Sequence, residues 1–143
     1  MTRVDFYVLG PQARGDRYLL ACRLTEKAWQ QGHRVYLHTT SEQESRHLDR
    51  LLWTFRDGSF LPHGLAADAE PAANPILIGH ADGVGDEHDV LVNLAPGVPP
   101  FFSRFERVAE PLDQDPAVRS AGRERFRYYR DRGYAPTSHD ITR

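Results

Sequence analysis

The sequence predicts a single α/β domain in which helices cover a mostly parallel sheet. Three observations carry that expectation. The N-terminal half reads strand, helix, strand, helix, and parallel strands need such crossovers. Short apolar, β-branched runs bounded by Gly and Pro recur along the chain. The length, 143 residues, is one domain's worth, without internal repeat or low-complexity linker, so one domain spans 1–143.

Each element has its own signal. Val4 to Leu9 is an apolar run that stops at Gly10-Pro11, as a buried strand entering a loop does. Arg17 to Gln31 places Leu20, Ala21, Leu24 and Ala28 at helical spacing, and Gly32 stands where a helix-ending glycine belongs. Val35 to Thr39 reads as a second strand. Ser41 with Glu44 is a capping-box pattern opening a helix through about Trp53, with Leu48, Leu51, Leu52 and Phe55 as its apolar positions. Residues 63–75, rich in Ala, Pro and Asp, read as a long surface loop. Ile76 to Ile78 and Val90 to Leu94 are further strands. Pro99-Pro100 precedes a short helix near Phe101 to Phe105, and Val108 begins another short strand. Asp115-Pro116 is an N-cap followed by a first-turn proline, so a last helix runs from Pro116 to Arg132 and stops at Gly133.

Composition narrows the class. Hydrophobic residues make up 40% and charged residues 27%, an ordinary mixture for a globular protein with a real core. The one cysteine, Cys22, excludes an intramolecular disulfide and fits a reducing, cytoplasmic setting. No segment has the length and apolarity of a signal peptide or a membrane span. The net charge of −2 hides an uneven distribution: residues 63–93 carry six carboxylates and no Lys or Arg, whereas residues 116–134 carry six Arg against Glu124 and Asp131.

Catalytic chemistry is poorly supported. The loop Gly10 to Gly15 is followed by Asp16 and Arg17, not by the Lys and Ser/Thr of a phosphate-cradling loop, and it lacks the three close glycines of a dinucleotide fold. Gly83-Val84-Gly85 is flanked by Asp82, Asp86 and Glu87, which repel phosphate. His80, Asp82, Asp86, His88 and Asp89 match no strong zinc or calcium spacing and read as a solvated loop. Cys22 is most simply a small core residue, and Ser59, Ser103 and Ser120 sit in no nucleophile elbow. No cofactor or metal is expected.

The last helix carries the most information. Arg119, Arg123, Arg127 and Arg130, spaced 4, 4 and 3, fall on one helical face, with Phe126, Tyr128 and Tyr129 among them. Such a stripe is either a solvated face balanced by Glu124 and Asp131, or a seat for an acidic peptide with an apolar anchor, or for a nucleic-acid backbone. Trp53-Thr54-Phe55 and Phe60-Leu61-Pro62 form a second apolar group, either core or an exposed docking patch.

Taken together, certain segments resemble the chi subunits of bacterial DNA polymerase III over nearly the whole chain. They are Val4-Asp5-Phe6-Tyr7-Val8-Leu9, Gly32-His33-Arg34-Val35, Leu52-Trp53 and Ser59-Phe60-Leu61-Pro62-His63. The last is Arg123-Glu124-Arg125-Phe126-Arg127-Tyr128-Tyr129-Arg130, with Gly133-Tyr134 two residues further on. The resemblance implies a Rossmann-like three-layer fold without a nucleotide-binding loop. It also implies a non-catalytic accessory subunit of the clamp-loader complex in DNA replication. Its implied partners are the acidic C-terminal tail of single-stranded-DNA-binding protein and the psi subunit, with a repair helicase as a further partner and DNA reached only indirectly. Carried over by position, the tail site falls on Leu112, Arg119, Arg123, Phe126, Arg127 and Gly133, and the psi-facing patch on Trp53 and Phe60. The family pattern has Tyr at the position of Phe126 and Lys at Arg119 and Arg127, and residues 135–143 match it poorly. A nucleotide-dependent enzyme and a direct binder of single-stranded DNA are the alternatives.

Overall fold

The computed structural model describes residues 1–81 and 83–142. Seven strands form one sheet: β1 (Arg3–Leu9), β2 (Val35–His38), β3 (His63–Leu65), β4 (Ile76–Gly79), β5 (Val90–Asn93), β6 (Arg107–Leu112) and β7 (Thr137–Ile141), in the order β3-β4-β2-β5-β6-β1-β7. Every pairing is parallel. Three helices, α1 (Arg17–Gln30), α2 (Glu42–Thr54) and α3 (Pro116–Asp131), make three of the six crossovers, and a 3-10 turn at Phe102–Arg104 lies in a fourth.

Strand alternation builds three layers. Val35, Leu37, Ile76, Ile78, Val90 and Val92 point to one face, where Ala21, Cys22 and Ala28 of α1 and Leu48 and Leu52 of α2 cover them. Tyr36, Leu77, Leu91, Val4, Phe6 and Val108 point to the other, beneath Phe101, Phe102 and Phe105 and Tyr129 of α3. Burial on both faces is why β2, β4 and β5 read as unbroken apolar runs.

The helix boundaries follow their caps. Asp16 accepts from Leu19 N to open α1, and Gly32 (φ 89°) closes it while His33 N donates to Ala28 O. Ser41 Oγ accepts from Glu44 N, and Glu44 reaches back to Thr40 N, one residue before the box partner the pattern specifies. Asp115 caps α3, which ends at Asp131, a residue short of the expected stop.

Two expectations need correction. Residues 63–75 are not wholly loop, because His63–Leu65 adds a strand to β4. Val108 lies within a six-residue strand, β6, between β5 and β1, and is not its start. A further strand, β7, carried no sequence signal. It is held by β1 through pairing and through the buried Asp5 carboxylate, which meets His139 Nε2 at 2.8 Å and Arg3 Nε at 3.0 Å, while Tyr7 stacks on the His139 ring. Among the described residues, no helix is long and apolar enough to cross a membrane.

Candidate binding face on the last helix

α3 is bolted to the sheet at its start. Arg119 donates from Nε to the Asp113 carbonyl (2.9 Å) and from Nη2 to the Leu9 carbonyl (2.7 Å), tying the first turns to the carboxyl ends of β6 and β1. Gln114 adds a bond to Gly10 O at 2.7 Å. Arg119 is therefore half-buried and structural, not a fourth outward guanidinium.

The underside holds a buried polar network. Glu110, 0% exposed, receives Arg125 Nε at 2.9 Å, Tyr129 Oη at 2.8 Å and Asn93 Nδ2 at 3.0 Å. Desolvation pushes the Glu110 carboxyl up, against the pull of Arg125 and the hydrogen-bond donors. Burial beside that carboxylate pushes the Tyr129 hydroxyl far up as well. Gly122 lies against Leu112, where a Cβ would stand 2.6 Å from Leu112 Cδ1. That close approach sets the helix low over β6.

The outer flank holds the remaining stripe. Arg123, Arg127 and Arg130 are exposed. Arg127 pairs with Glu124 at 2.9 Å and Arg130 with Asp131 at 3.4 Å, all four side chains more than half exposed, so these pairs are weak and exchangeable. Arg123 makes no ion pair among the described residues. Beside the stripe, the half-buried Phe126 ring packs 5.2 Å from Phe6. Val8 and Leu112 sit in register on neighbouring strands below. The result is a basic rim of Arg123 and Arg127 beside the half-buried Phe126 and Val8, with Leu112 buried beneath Gly122. Gly133 stands past the helix end, where its φ of 84° turns the chain so that Tyr134 N reaches Tyr129 O.

Sequence reasoning missed Val8, Glu110 and Arg125. The signal for Glu110 was present: a lone carboxylate in Val108-Ala109-Glu110-Pro111-Leu112 alternates onto the same face as Val108 and Leu112 and needs a buried cation.

The second apolar group divides sharply. Trp53 is 55% and Phe60 80% exposed, whereas Leu61 is 2% exposed. Glu26 of α1 binds Arg56 and Ser59, pinning the loop so that Ser59 and Leu61 turn in and Phe60 turns out. Trp53 packs on the buried His63 ring at 4.4 Å.

The other candidates have plain structural roles. Cys22 is fully buried, and its thiol is pushed up to about 12 by desolvation. In the acidic loop, Glu87 pairs with Arg34 at 3.0 Å and Asp89 with His33 at 3.0 Å. Asp82 lies outside the described residues, and among those described no three His, Cys, Asp or Glu side chains gather as metal ligands do.

Fold and site together define a parallel α/β domain that presents a basic, aromatic-backed helix face. A family model described as "DNA polymerase III chi subunit, HolC" matches residues 1–137. The chain is 45% identical over 143 residues to the DNA polymerase III subunit chi of Pseudomonas aeruginosa, covering 100% of this chain and 99% of that one. It is 27% identical over 139 residues to the subunit chi of Escherichia coli, covering 94% and 95%, and 26% identical over 138 residues to that of Haemophilus influenzae, covering 96% of each. The chain belongs to the DNA polymerase III chi subunit family.

Proposed function

We propose that this chain is a non-catalytic accessory subunit of the replicative DNA polymerase III clamp-loader complex. It acts in the cytoplasm by joining that complex to single-stranded-DNA-binding protein. The α3 flank supports the reading best: Arg123, without an ion pair among the described residues, and Arg127, held only by the exposed Glu124, can take a carboxylate beside an apolar floor of the half-buried Val8 and Phe126. An acidic peptide ending in an apolar residue would place its terminal carboxylate on a guanidinium and its side chain against that floor. A charge-assisted contact of this kind contributes ~1.5–3 kcal/mol.

The test is titration with a peptide ending in Asp-Ile-Pro-Phe, with a free carboxylate and amidated. The free acid binds and the amide does not. Arg123→Ala and Arg127→Ala each weaken binding about tenfold or more, since 1.4 kcal/mol is a factor of ten. Unchanged affinity in either variant removes that residue from the site.

The psi subunit docks on the second patch, where Trp53 is exposed at the end of α2 and a pinned loop holds Phe60 outward. Trp53→Ala and Phe60→Ala abolish co-purification with psi while peptide titration stays at its original affinity. Loss of both activities together would mean that the patch is a folding element. The same surface suits a repair helicase as an alternative partner.

A further inference from the structure

The face of β1 and β7 on the α1 side has no helix of its own. Helices α1 and α2 pack on β2, β4, β5 and Ala109 of β6, while α3 and the Phe101–Phe105 segment lie on the opposite face. Alternation brings Arg3, Asp5 and Tyr7 of β1 and Thr137 and His139 of β7 onto this open face. Its charge is one-sided. The single carboxylate of Asp5 is shared by three cationic groups: Arg3 Nε at 3.0 Å, Arg107 Nε at 3.6 Å and His139 Nε2 at 2.8 Å.

The face continues into a groove along α1. A hollow of about 160 Å³ brings Tyr7 and Arg107 together with Lys27 and Gln31 of α1. A second, of about 360 Å³, lies between Gln12 and Arg14 of the β1–α1 loop, Arg23 of α1 and Thr142. Arg23 and Lys27, four residues apart, share one flank of α1, so the two hollows follow one another along that helix. The strand beneath, Arg3 to Leu9, is roughly 20 Å long. Arg14 and Lys27 are exposed and make no ion pair among the described residues. The carboxylates at the two ends are committed elsewhere: Asp16 caps α1, Asp89 pairs with His33, and Glu106 lines the separate hollow beside His33 and His88. The six carboxylates of residues 63–93 belong to β3, β4, β5 and their loops, so the β7 edge is the pole toward which a polyanion is steered.

The charge comes with a stacking surface. Tyr7 and His139 lie ring on ring, 4.9 Å apart and 18° from parallel. β7 is the edge strand, so the far face of the half-buried His139 ring meets no further strand. An aromatic face beside a basic track is how single-stranded nucleic acid is held, with phosphates on the cations and a base on the ring. A duplex hides its bases from such a ring. A run of carboxylates would answer the charges and leave the stack unused.

We infer that this groove binds single-stranded nucleic acid, with phosphates on Arg107, Lys27 and Arg14 and a base stacked on His139. The site is independent of the peptide face, since α3 lies across the sheet from α1.

The experiment titrates a fluorescein-labelled oligodeoxythymidylate of about 15 nucleotides with the full chain at low salt, followed by anisotropy. The oligonucleotide binds, and its affinity falls steeply as salt is raised. An abasic strand of the same length binds about tenfold more weakly, the factor that one stacked base supplies. The oligonucleotide also moves the His139 ring protons upfield in the NMR spectrum, and polyglutamate does not. Arg14→Glu combined with Lys27→Glu weakens binding about tenfold or more at an unchanged urea midpoint, because both side chains are exposed and unpaired. No binding at low salt, equal binding of the abasic strand, of polyglutamate or of a duplex, or an undiminished affinity in the double variant would overturn the assignment.

Discussion

Arg123 and Arg125 are two residues apart on one helix and do opposite things. Arg123 faces solvent, whereas Arg125 neutralises a carboxylate that has lost its water. Removing one partner of a buried pair leaves an uncompensated charge, which costs about 3–5 kcal/mol. Arg125→Ala should therefore lower the unfolding free energy by that amount. Arg123→Ala should change it by less than ~0.5 kcal/mol. Denaturant unfolding of both checks the contrast, and equal stability would contradict the buried pair. Spacing alone made Arg123 and Arg127 legible as outward charges. It misplaced Arg119, because the bonds that turn it in come from carbonyls of β1 and β6, far away in sequence. Arg125 was hidden for the same reason: its partner lies on β6, and only the register of that strand beneath α3 joins them.

The fit of α3 against β6 depends on Gly122. An alanine there gains ~1 kcal/mol of helix propensity. Its methyl group meets Leu112, which is 5% exposed and walled in, and overpacking costs typically ~1–3 kcal/mol. Gly122→Ala is expected to lose up to roughly 2 kcal/mol, read as a lower urea midpoint with an unchanged slope. A more stable variant would mean that α3 rides higher than described. The elements that were legible all had local chemistry of their own: Ser41 and Asp115 as caps, Gly32 and Gly133 as stops, and apolar runs in β2, β4 and β5. Those that were not legible are the two edge strands. β3 is three residues beginning at a histidine, and β7 is Thr-Ser-His-Asp-Ile. Neither carries an apolar period. Each is a strand because a neighbour offers it a hydrogen-bonding edge.

Across the whole molecule, burial of weak acids links stability to alkaline pH. Burial pushes the Cys22 thiol from 9.0 up to about 12, and partial burial with the bond to Glu44 pushes the Tyr18 hydroxyl from 10.0 up to about 12. Both native values exceed the unfolded ones. Their contribution is fully present below pH 9, and it is lost as pH rises toward 12, because the unfolded chain releases protons that the native one keeps. Stability should fall by up to ~1.4 kcal/mol per pH unit for Cys22 in that window, and by less for the partly exposed Tyr18, whose interactions solvent screens. Cys22→Ala should flatten the onset near pH 9, and an unaltered profile would place the thiol in contact with water. In the native protein at pH 8, the thiol should resist alkylation until the chain is unfolded.

The sheet order also bears on how the chain is made. β1 leaves the ribosome first, yet both of its neighbours, β6 and β7, come from the C-terminal third. At ~5–20 residues per second, β1 waits on the order of 5–20 s for Arg107 to be synthesised. Until then its two edges are bare and Phe6 has neither Phe126 nor Tyr129 to cover it. Nascent chains arrested before β6 should therefore remain protease-sensitive and bind chaperones through the Val4–Leu9 segment. The native domain would close only once β7 has been made, in one late step that joins the first strand to the last two.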